Sequence, residues 1–211
     1  MQGSFITLEG IEGAGKSTCM AEVRQVLETA GKAILETREP GGTPLGEDLR
    51  QLLLGHRHTG MHEDTELLLM FAARAEHLQQ KILPALRSGK WVLCDRFTDA
   101  SYAYQGGGRG MDTRRIAELE TWVQGDVRPH LTLLMDLPVE QGLERAGRRS
   151  SPDRFESEAL EFFERVRQAY LEIARQDPGR VKIIDASRPL QEVRARIRAV
   201  MESFLEQQDN D

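Results

Sequence analysis

The chain has 211 residues, of which 39% are hydrophobic and 29% charged, a composition typical of a globular protein with one well-buried core. Its 28 Lys and Arg against 34 Asp and Glu give a net charge of −6, which argues against a broad basic surface for nucleic acid. The longest apolar run, residues 67–73, is far shorter than the roughly 20 residues of a membrane span. Because Cys19 and Cys94 are the only cysteines and no secretory pattern is present, we expect a reduced, cytoplasmic protein with no membrane or nucleic-acid partner.

Short apolar runs alternate with longer helical patterns along the chain, with neither repeats nor a flexible linker. This alternation predicts a single α/β domain with a parallel sheet, because strands that are nearly all apolar are covered on both faces. The predicted strands are residues 4–9, 33–37, 91–95, 131–136 and 181–185. The predicted helices are residues 16–30, 44–54, 63–88, 112–124, 139–146, 156–176 and 190–207. Pro84 is expected to kink or divide the third of these helices.

A glycine-rich motif, GIEGAGKS, lies between the first predicted strand and the first predicted helix. It matches the phosphate-loop spacing, in which glycines let backbone N–H groups surround a phosphate at the positive end of a helix. Lys16 is expected to bridge the terminal phosphates, and the Ser17 hydroxyl to ligate Mg²⁺. The residues expected to bind the nucleotide are Gly10, Ile11, Glu12, Gly13, Ala14, Gly15, Lys16, Ser17 and Thr18.

The remaining motifs favour a kinase over a GTPase switch. The chain has no Asp-x-x-Gly element and its single Asn is Asn210, so ATP is the expected donor. Asp95 ends a predicted strand and is the first candidate for the metal carboxylate, with Asp136 second. The adjacent Arg96 carries a forked donor that can grip a phosphate, although an ordinary ion pair is the alternative.

Two further groups of side chains are open to two interpretations. Phe71 and Arg74 share one helix face and can present a ring and a forked donor to a planar base, or serve as a core ring and a solvated cation. A charged, polar stretch near residues 145–156 is either a solvated face or a mobile lid that neutralises phosphate charge, and we favour the lid. Its arginines are Arg145, Arg148, Arg149 and Arg154.

Four motifs together resemble the bacterial thymidylate kinases over essentially the whole chain: TLEGIEGAGKST, TREPGGTPLGEDLR, FAARAEH and DRFTDASYAYQGGGRG. The resemblance implies a P-loop NTPase-type three-layer fold whose five-stranded parallel sheet is flanked by helices. It further implies that the γ-phosphate of ATP passes to the 5′-phosphate of dTMP with Mg²⁺, in a homodimer. The domain would be a single nucleoside-monophosphate-kinase-like unit over residues 1–211 with its lid near 145–156.

The resemblance also implies roles for individual residues. Arg50 and Arg96 would hold the dTMP phosphate, and Glu12 would face the sugar 3′-hydroxyl. Phe71 would stack on thymine and Arg74 would donate to its O4, which rejects cytosine strongly and uracil weakly. The dTMP-binding residues implied are Glu12, Arg50, Phe71, Arg74, Arg96, Ser101, Tyr104 and Gln105, with Tyr104 beside the sugar favouring a deoxyribose. A cis peptide is expected between Glu39 and Pro40.

The resemblance places the chain in a subclass whose phosphate loop has no arginine, since Glu12 and Ala14 leave the loop without one. The lid would then supply the catalytic arginine, and Arg154 matches the lid best, with Arg149 as a second candidate. The implied catalytic residues are Lys16, Arg96, Arg154 and Arg149, and the implied metal residues are Ser17 and Asp95. One departure from the family pattern is Ala100, where many members have Ser.

Two alternatives stay open at this point. The first is a kinase of the same fold that acts on another nucleoside monophosphate or on a deoxynucleoside. A deoxynucleoside kinase would use Glu12 or Glu9 as a base toward the 5′-hydroxyl of its substrate. A non-catalytic ATP-binding regulator would use the arginine cluster as a docking patch for a partner.

Overall fold

The computed structural model describes residues 3–58, 60–147, 153–156 and 158–210. Within these residues the strands form one parallel sheet in the order β2-β3-β1-β4-β5. The strands are β1 (Phe5–Glu9), β2 (Ile34–Arg38), β3 (Trp91–Asp95), β4 (Leu131–Asp136) and β5 (Val181–Asp185). The α/β prediction and the parallel sheet are confirmed, and β1, which carries the phosphate loop, is the central strand.

Helices connect the strands and cover both faces of the sheet. They are α1 (Lys16–Thr29), α2 (Pro44–Leu54), α3 (Glu63–His77), α4 (Leu83–Arg87), α5 (Thr98–Ser101), α6 (Thr113–Gln124), α7 (Val139–Gly147), α8 (Leu160–Gln176) and α9 (Leu190–Asn210). A 3₁₀ turn, His56–His58, follows α2. No helix in the described ranges combines the length and the apolar character that crossing a bilayer requires.

Successive side chains of the central strands point to opposite faces of the sheet, so a hydrophobic core forms on each face. In β1, Ile6 and Leu8 belong to the larger core with α1, α8 and α9, whereas Phe5 belongs to the smaller core. In β3, Leu93 and Val92 divide between the two cores in the same way. The edge strands β2 and β5 are only partly buried. Both faces of the inner strands are therefore covered, which explains their nearly continuous apolar sequence.

The predicted helix over residues 63–88 is interrupted. A π-helical turn, Leu78–Ile82, joins α3 to α4, and Pro84 lies at the start of α4. Proline has no N–H for the carbonyl of residue 80 and its ring crowds that carbonyl, so a widened turn before it is the expected accommodation. The expectation that Pro84 divides this helix is confirmed.

The segment after β3 is helical, which the sequence analysis did not predict. It consists of α5 and a π-helical turn, Tyr102–Gly108. Gly107 and Gly108 allow this turn to lie against α8, since a Cβ on Gly107 would come within 2.6 Å of the Ala169 Cβ. The prediction that α8 starts at residue 156 is wrong, because α8 begins at Leu160 and residues 154–156 form a turn in which the Asp153 carboxylate accepts the Phe155 and Glu156 N–H groups.

Candidate active site

The phosphate loop follows β1 and leads directly into α1, as predicted. Gly13 and Gly15 have positive φ angles of 71° and 84°, and Gly15 is the residue before the helix. A Cβ on Gly13 would lie 1.8 Å from the Gly142 carbonyl oxygen, so no larger residue fits there. The first turn of α1 has no acidic side chain, which leaves its positive end available to an anion.

Lys16 lies folded over this loop and is almost buried. Its Nζ donates to the carbonyl oxygens of Gly10 and Ile11, both at 3.0 Å. Burial, followed by the nearby Arg96 charge, lowers the pKa of Lys16 from 10.5 to about 8. A cation held at such a cost is stabilised when an anion enters the loop, as a phosphate site requires.

Asp95 and Ser17 line one groove beside the loop, as the metal prediction needs. The Oδ1 atom of Asp95 is buried and has no hydrogen-bond partner among the described residues, so it is an acceptor without a donor. Asp136, the second candidate, is instead held by Arg167 through two contacts of 2.7 and 2.9 Å. The geometry therefore favours Asp95 for a cation.

A cavity with an empty volume of about 590 Å³ opens beside the loop. Among the residues that line it are the predicted acceptor residues Glu12, Arg50, Arg74, Arg96, Ser101, Tyr104 and Gln105. Arg50 and Arg96 together supply positive charge to this cavity, and Arg50 is fixed by donating to the Pro40 carbonyl at 2.9 Å. The apolar part of the lining includes Leu54, Met70, Phe97 and Phe155, which the sequence analysis did not select.

Glu12, although it lies in the phosphate loop, is held by an arginine and a tyrosine hydroxyl. Arg96 Nη2 donates to Glu12 Oε1 at 2.7 Å and to the Tyr104 hydroxyl oxygen at 3.1 Å. The Tyr104 hydroxyl donates in turn to Glu12 at 2.7 Å. Burial raises the pKa of Tyr104 well above 10, so its phenol keeps the proton that it donates. These contacts fix the Arg96 guanidinium at the cavity wall.

Arg74 lines the same cavity and has one donor nitrogen without a partner in the described part of the chain. Its Nε donates to Glu39 Oε2 at 2.7 Å, and its Nη2 donates to the Phe97 carbonyl and to Ser101 Oγ, both at 3.1 Å. Its Nη1 is buried and has no hydrogen-bond partner within the described part of the chain. Since unpaired buried donors are costly, Nη1 is suited to a ligand carbonyl.

Phe71 requires a correction to the expectation that it stacks on a base. It is 2% exposed, packs with Leu67, Met111 and Ile116, and does not belong to the cavity lining. Its ring lies 4.6 Å from the Arg74 guanidinium carbon, so the two side chains stack on each other. Met70, the preceding residue, lines the cavity instead. The shared helix face was predicted correctly, but the ring supports the arginine and does not contact the space where a ligand would lie.

The lid arginines are only partly described. Arg148 and Arg149 lie outside the described residues. Arg154 is 7% exposed, with Nε donating to the Leu53 carbonyl at 2.7 Å and Nη2 2.7 Å from Glu66 Oε2. The structure therefore places the Arg154 guanidinium against α2 and α3, which corrects the expectation that it faces the phosphate loop.

Arg145 lines a second cavity, on the α1 side of the phosphate loop. It shares this lining with Gly13, Ala14, Gly15, Thr18 and Arg188. Arg145 Nη1 donates to the Ala186 carbonyl at 3.0 Å, which fixes its guanidinium there. Arg188 was missed by the sequence analysis because it follows the last strand, far from the loop in sequence.

Glu9 lies beneath the site and gives a prediction about stability. It is fully buried, and it accepts from the Phe97 N–H and from the Tyr170 hydroxyl, both at 2.7 Å. Burial, reinforced by the Asp99 charge, raises its pKa from 4.5 to about 8. Between pH 4.5 and pH 8, Glu9 is therefore protonated in the folded state and ionised in the unfolded chain. The contribution of this proton to the free energy of unfolding is complete below pH 4.5 and is lost as the pH rises through 8.

We expect Glu9→Gln to remove this dependence. Between pH 5 and pH 9, the unfolding free energy of the unaltered protein should fall relative to that of the variant by on the order of a few kcal/mol. Urea unfolding at several pH values measures the difference, with the exposed Glu202→Gln as control. Parallel pH profiles for the Glu9 variant and the unaltered protein would contradict the assignment.

The comparisons with known proteins agree with this geometry. The family model described as thymidylate kinase matches residues 8–197. The chain is 58% identical to a thymidylate kinase from Pseudomonas entomophila over 206 residues, covering 98% of each chain. It is 58% identical to one from Alkalilimnicola ehrlichii, covering 91% of this chain and 89% of the relative. The crystal structure of thymidylate kinase from Ehrlichia chaffeensis superposes with a TM-score of 0.78 at 34% identity, covering 96% of this chain and 99% of that one. The chain belongs to the thymidylate kinase family.

Proposed function

We propose that this chain uses ATP to phosphorylate dTMP to dTDP, a step toward dTTP for DNA synthesis. Membership of the thymidylate kinase family supports the reaction class, and one observation in the structure supports the identity of the acceptor. A single cavity beside the phosphate loop is lined by Arg50, Arg96 and Arg74, and the Nη1 donor of Arg74 has no partner among the described residues. These groups suit a ligand that has an anionic phosphate at one end and a carbonyl-bearing ring at the other.

The acceptor dTMP fits this cavity in one orientation. Its phosphate would contact Arg50 and Arg96, and its O4 would accept from Arg74 Nη1. Ser101 and Gln105 would line the base, Tyr104 and Glu12 would lie beside the sugar, and the buried Phe71 would act by supporting Arg74. Ala100 lines the same cavity, so its methyl group adds apolar contact where a Ser hydroxyl would be polar.

The donor ATP would occupy the loop from Gly10 to Thr18, with its phosphates at the start of α1. The second cavity is lined by the phosphate loop and by the planar guanidinium groups of Arg145 and Arg188, so it is suited to receive an adenine ring. Ser17 and Asp95 are the residues that would hold Mg²⁺, and the unpaired buried Oδ1 of Asp95 fits a hard cation. When bound, Mg²⁺ would neutralise developing charge on the transferred phosphoryl group.

Catalysis in this proposal needs no general base, because the acceptor oxygen is already anionic. Lys16 would neutralise the donor phosphates and Arg96 would align the acceptor phosphate. We further propose the subclass in which the acidic Glu12 leaves the loop without an arginine and the lid near 145–156 supplies it. Arg154 can act there only by leaving its contact with Glu66, which makes Arg149 the alternative catalytic arginine.

We propose that the whole chain, residues 1–211, acts as one cytoplasmic domain that pairs into a homodimer. The helices α2, α3 and α6 carry large apolar side chains that are exposed to solvent in a monomer. These side chains are Leu45, Leu52, Leu68 and Trp122, exposed by 51, 41, 56 and 82%. Such a surface is typical of an interface between copies.

The deciding experiment measures ADP release from ATP and Mg²⁺ with dTMP, dUMP, dCMP, dGMP or thymidine as acceptor. We expect turnover with dTMP, weaker by roughly 10–100-fold with dUMP, and lower by about 10⁴ with dCMP. Thymidine should give none, because the two carboxylates considered as bases are engaged: Glu12 is held by Arg96 and Tyr104, and Glu9 is buried. Turnover with thymidine but not dTMP would indicate a deoxynucleoside kinase. Absence of acceptor-dependent turnover would indicate a non-catalytic regulator.

A further inference from the structure

Behind Arg74 lies a row of polar side chains, partly buried at Thr37 and buried at Glu39 and His77, to which the reaction described above assigns no role. It runs from Thr37 on β2 through His77 at the end of α3 to Glu39, and from Glu39 to Arg74. His77 Nε2 lies 2.6 Å from Thr37 Oγ1, and His77 Nδ1 lies 3.0 Å from Glu39 Oε1. The other oxygen of Glu39 accepts from Arg74 Nε at 2.7 Å.

Burial makes this row rigid. His77 is 0%, Arg74 2% and Glu39 5% exposed. Both ring nitrogens of His77 have partners, so the ring cannot turn without losing one of them. Gly42 closes the space behind it, since a Cβ there would lie 2.6 Å from His77 Nε2 and 2.7 Å from Thr37 Oγ1. A side chain larger than glycine at this position would therefore displace the imidazole or the Thr37 hydroxyl.

The consequence for Arg74 follows from its donors. Nε is oriented by Glu39 and Nη2 by the Phe97 carbonyl and Ser101, which leaves Nη1 as the one guanidinium nitrogen without a partner among the described residues, on a side chain that lines the ligand cavity. Because guanidinium is planar, fixing Nε and Nη2 also fixes Nη1. Glu39 therefore holds one of the two oriented nitrogens of Arg74. Among the described residues, the other carboxylate oxygen of Glu39 forms a hydrogen bond only with the side chain of His77.

We propose that His77 is a positioning residue which, through Glu39, holds Arg74 Nη1 at the 4-position of the pyrimidine and so contributes to the choice of 4-oxo over 4-amino bases. This inference rests on the proposed function, because it needs a pyrimidine monophosphate in the cavity. If Arg74 is no longer held in place, it discriminates less between a carbonyl oxygen and an amino group at the 4-position. The contacts of Arg50 and Arg96 with the phosphate are not affected.

Two amide variants test the proposal. In His77→Asn the side-chain amide occupies the place of Nδ1 and can still donate to Glu39, whereas in His77→Gln it reaches the place of Nε2 and the Glu39 contact is lost. The measurements are kcat and KM with dTMP, dUMP and dCMP, and KM for ATP. His130→Gln is the matched control, because that ring nitrogen accepts from the Phe5 N–H outside the site.

For His77→Gln we expect kcat/KM to fall about tenfold with dTMP and with dUMP, mainly through KM, since a less firmly held Arg74 makes a weaker hydrogen bond to O4. The value for dCMP and the KM for ATP should not change. The dTMP to dCMP ratio therefore falls about tenfold while the dTMP to dUMP ratio is constant. His77→Asn should retain most of the dTMP to dCMP ratio, and in an Arg74→Met background His77→Gln should change it no further.

A purely structural histidine would give other results. Equal losses with all three acceptors, or equal losses of discrimination in the Asn and Gln variants, would overturn the proposal, as would an unchanged ratio in the Gln variant. Failure of the proposed function is a separate outcome, seen in the unaltered protein as no ADP release with dTMP. Thermal unfolding of each variant shows whether the fold is intact.

Discussion

Replacing Lys16 by Met is expected to lower kcat/KM for phosphoryl transfer by about 10³ while dTMP binding is retained, because the ammonium group neutralises phosphate charge that grows in the transition state. Nζ is positioned for this by the Gly10 and Ile11 carbonyls. ADP release measures the rate, and calorimetric titration with dTMP measures acceptor binding. The exposed Lys90→Met is the control.

The Lys16 variant should also remain folded. Burial lowers the pKa of this amine to about 8, so at neutral pH the protein bears the cost of a buried cation. Met removes that cost at similar length, and we expect equal or higher thermal stability. Turnover within tenfold of the unaltered protein, or loss of dTMP binding with an intact fold, would contradict the role assigned to Lys16.

The parts of the site that the sequence predicted are those determined by local pattern. The phosphate loop was recognised because its glycines, lysine and serine have fixed spacing between a strand and a helix. Asp95 was recognised because it ends an apolar strand, and the ends of parallel strands meet at one edge, here with Leu8 opposite Asp95. Strands β3, β4 and β5 have the predicted bounds, because their apolar runs end in polar residues.

The parts that the sequence did not predict depend on contacts distant along the chain. Arg154 was assigned to the phosphates from the family resemblance of the lid, but Glu66 on α3 contacts the same guanidinium. The sequence analysis assigned no element to the glycines after Gln105, yet they allow a helical turn to approach α8. Such pairings are decided by tertiary packing, which a local pattern does not contain.

His77 is an intermediate case. It follows Arg74 by three residues on α3, so the two share a helix face, and this spacing could have drawn attention to it. Its importance depends on Glu39, which lies after β2, and no local signal connects these residues. The support of a binding residue is therefore harder to read from sequence than the binding residue itself.

Arg96 provides the second large prediction, in which activity and stability separate. Its φ of +67° is the only positive value for a non-glycine residue in the described ranges. The chain is held in this conformation from both sides, because Arg96 N–H donates to the Leu8 carbonyl at 3.0 Å and Phe97 N–H donates to Glu9 at 2.7 Å. This backbone directs the guanidinium to Glu12 and Tyr104, at the wall of the acceptor cavity.

We expect Arg96→Ala and Arg96→Gly to lose activity equally, with kcat/KM lower by about 10³, since each removes the guanidinium that aligns the acceptor phosphate. The Gly variant should be more stable than the Ala variant by about 1 kcal/mol, because only glycine adopts a left-handed conformation without strain. ADP release and urea unfolding measure the two effects. The pair is its own control, since both variants leave Glu12 and Tyr104 in the same state and differ only in a methyl group.

Equal stabilities would show that the left-handed backbone carries no strain, and near-normal turnover would show that Arg96 does not hold the acceptor phosphate. If both expectations hold, the strain at Arg96 is retained because an arginine is needed at this position of the cavity wall. Glu9 then contributes to catalysis indirectly, since its hydrogen bond to Phe97 helps to hold that backbone in place.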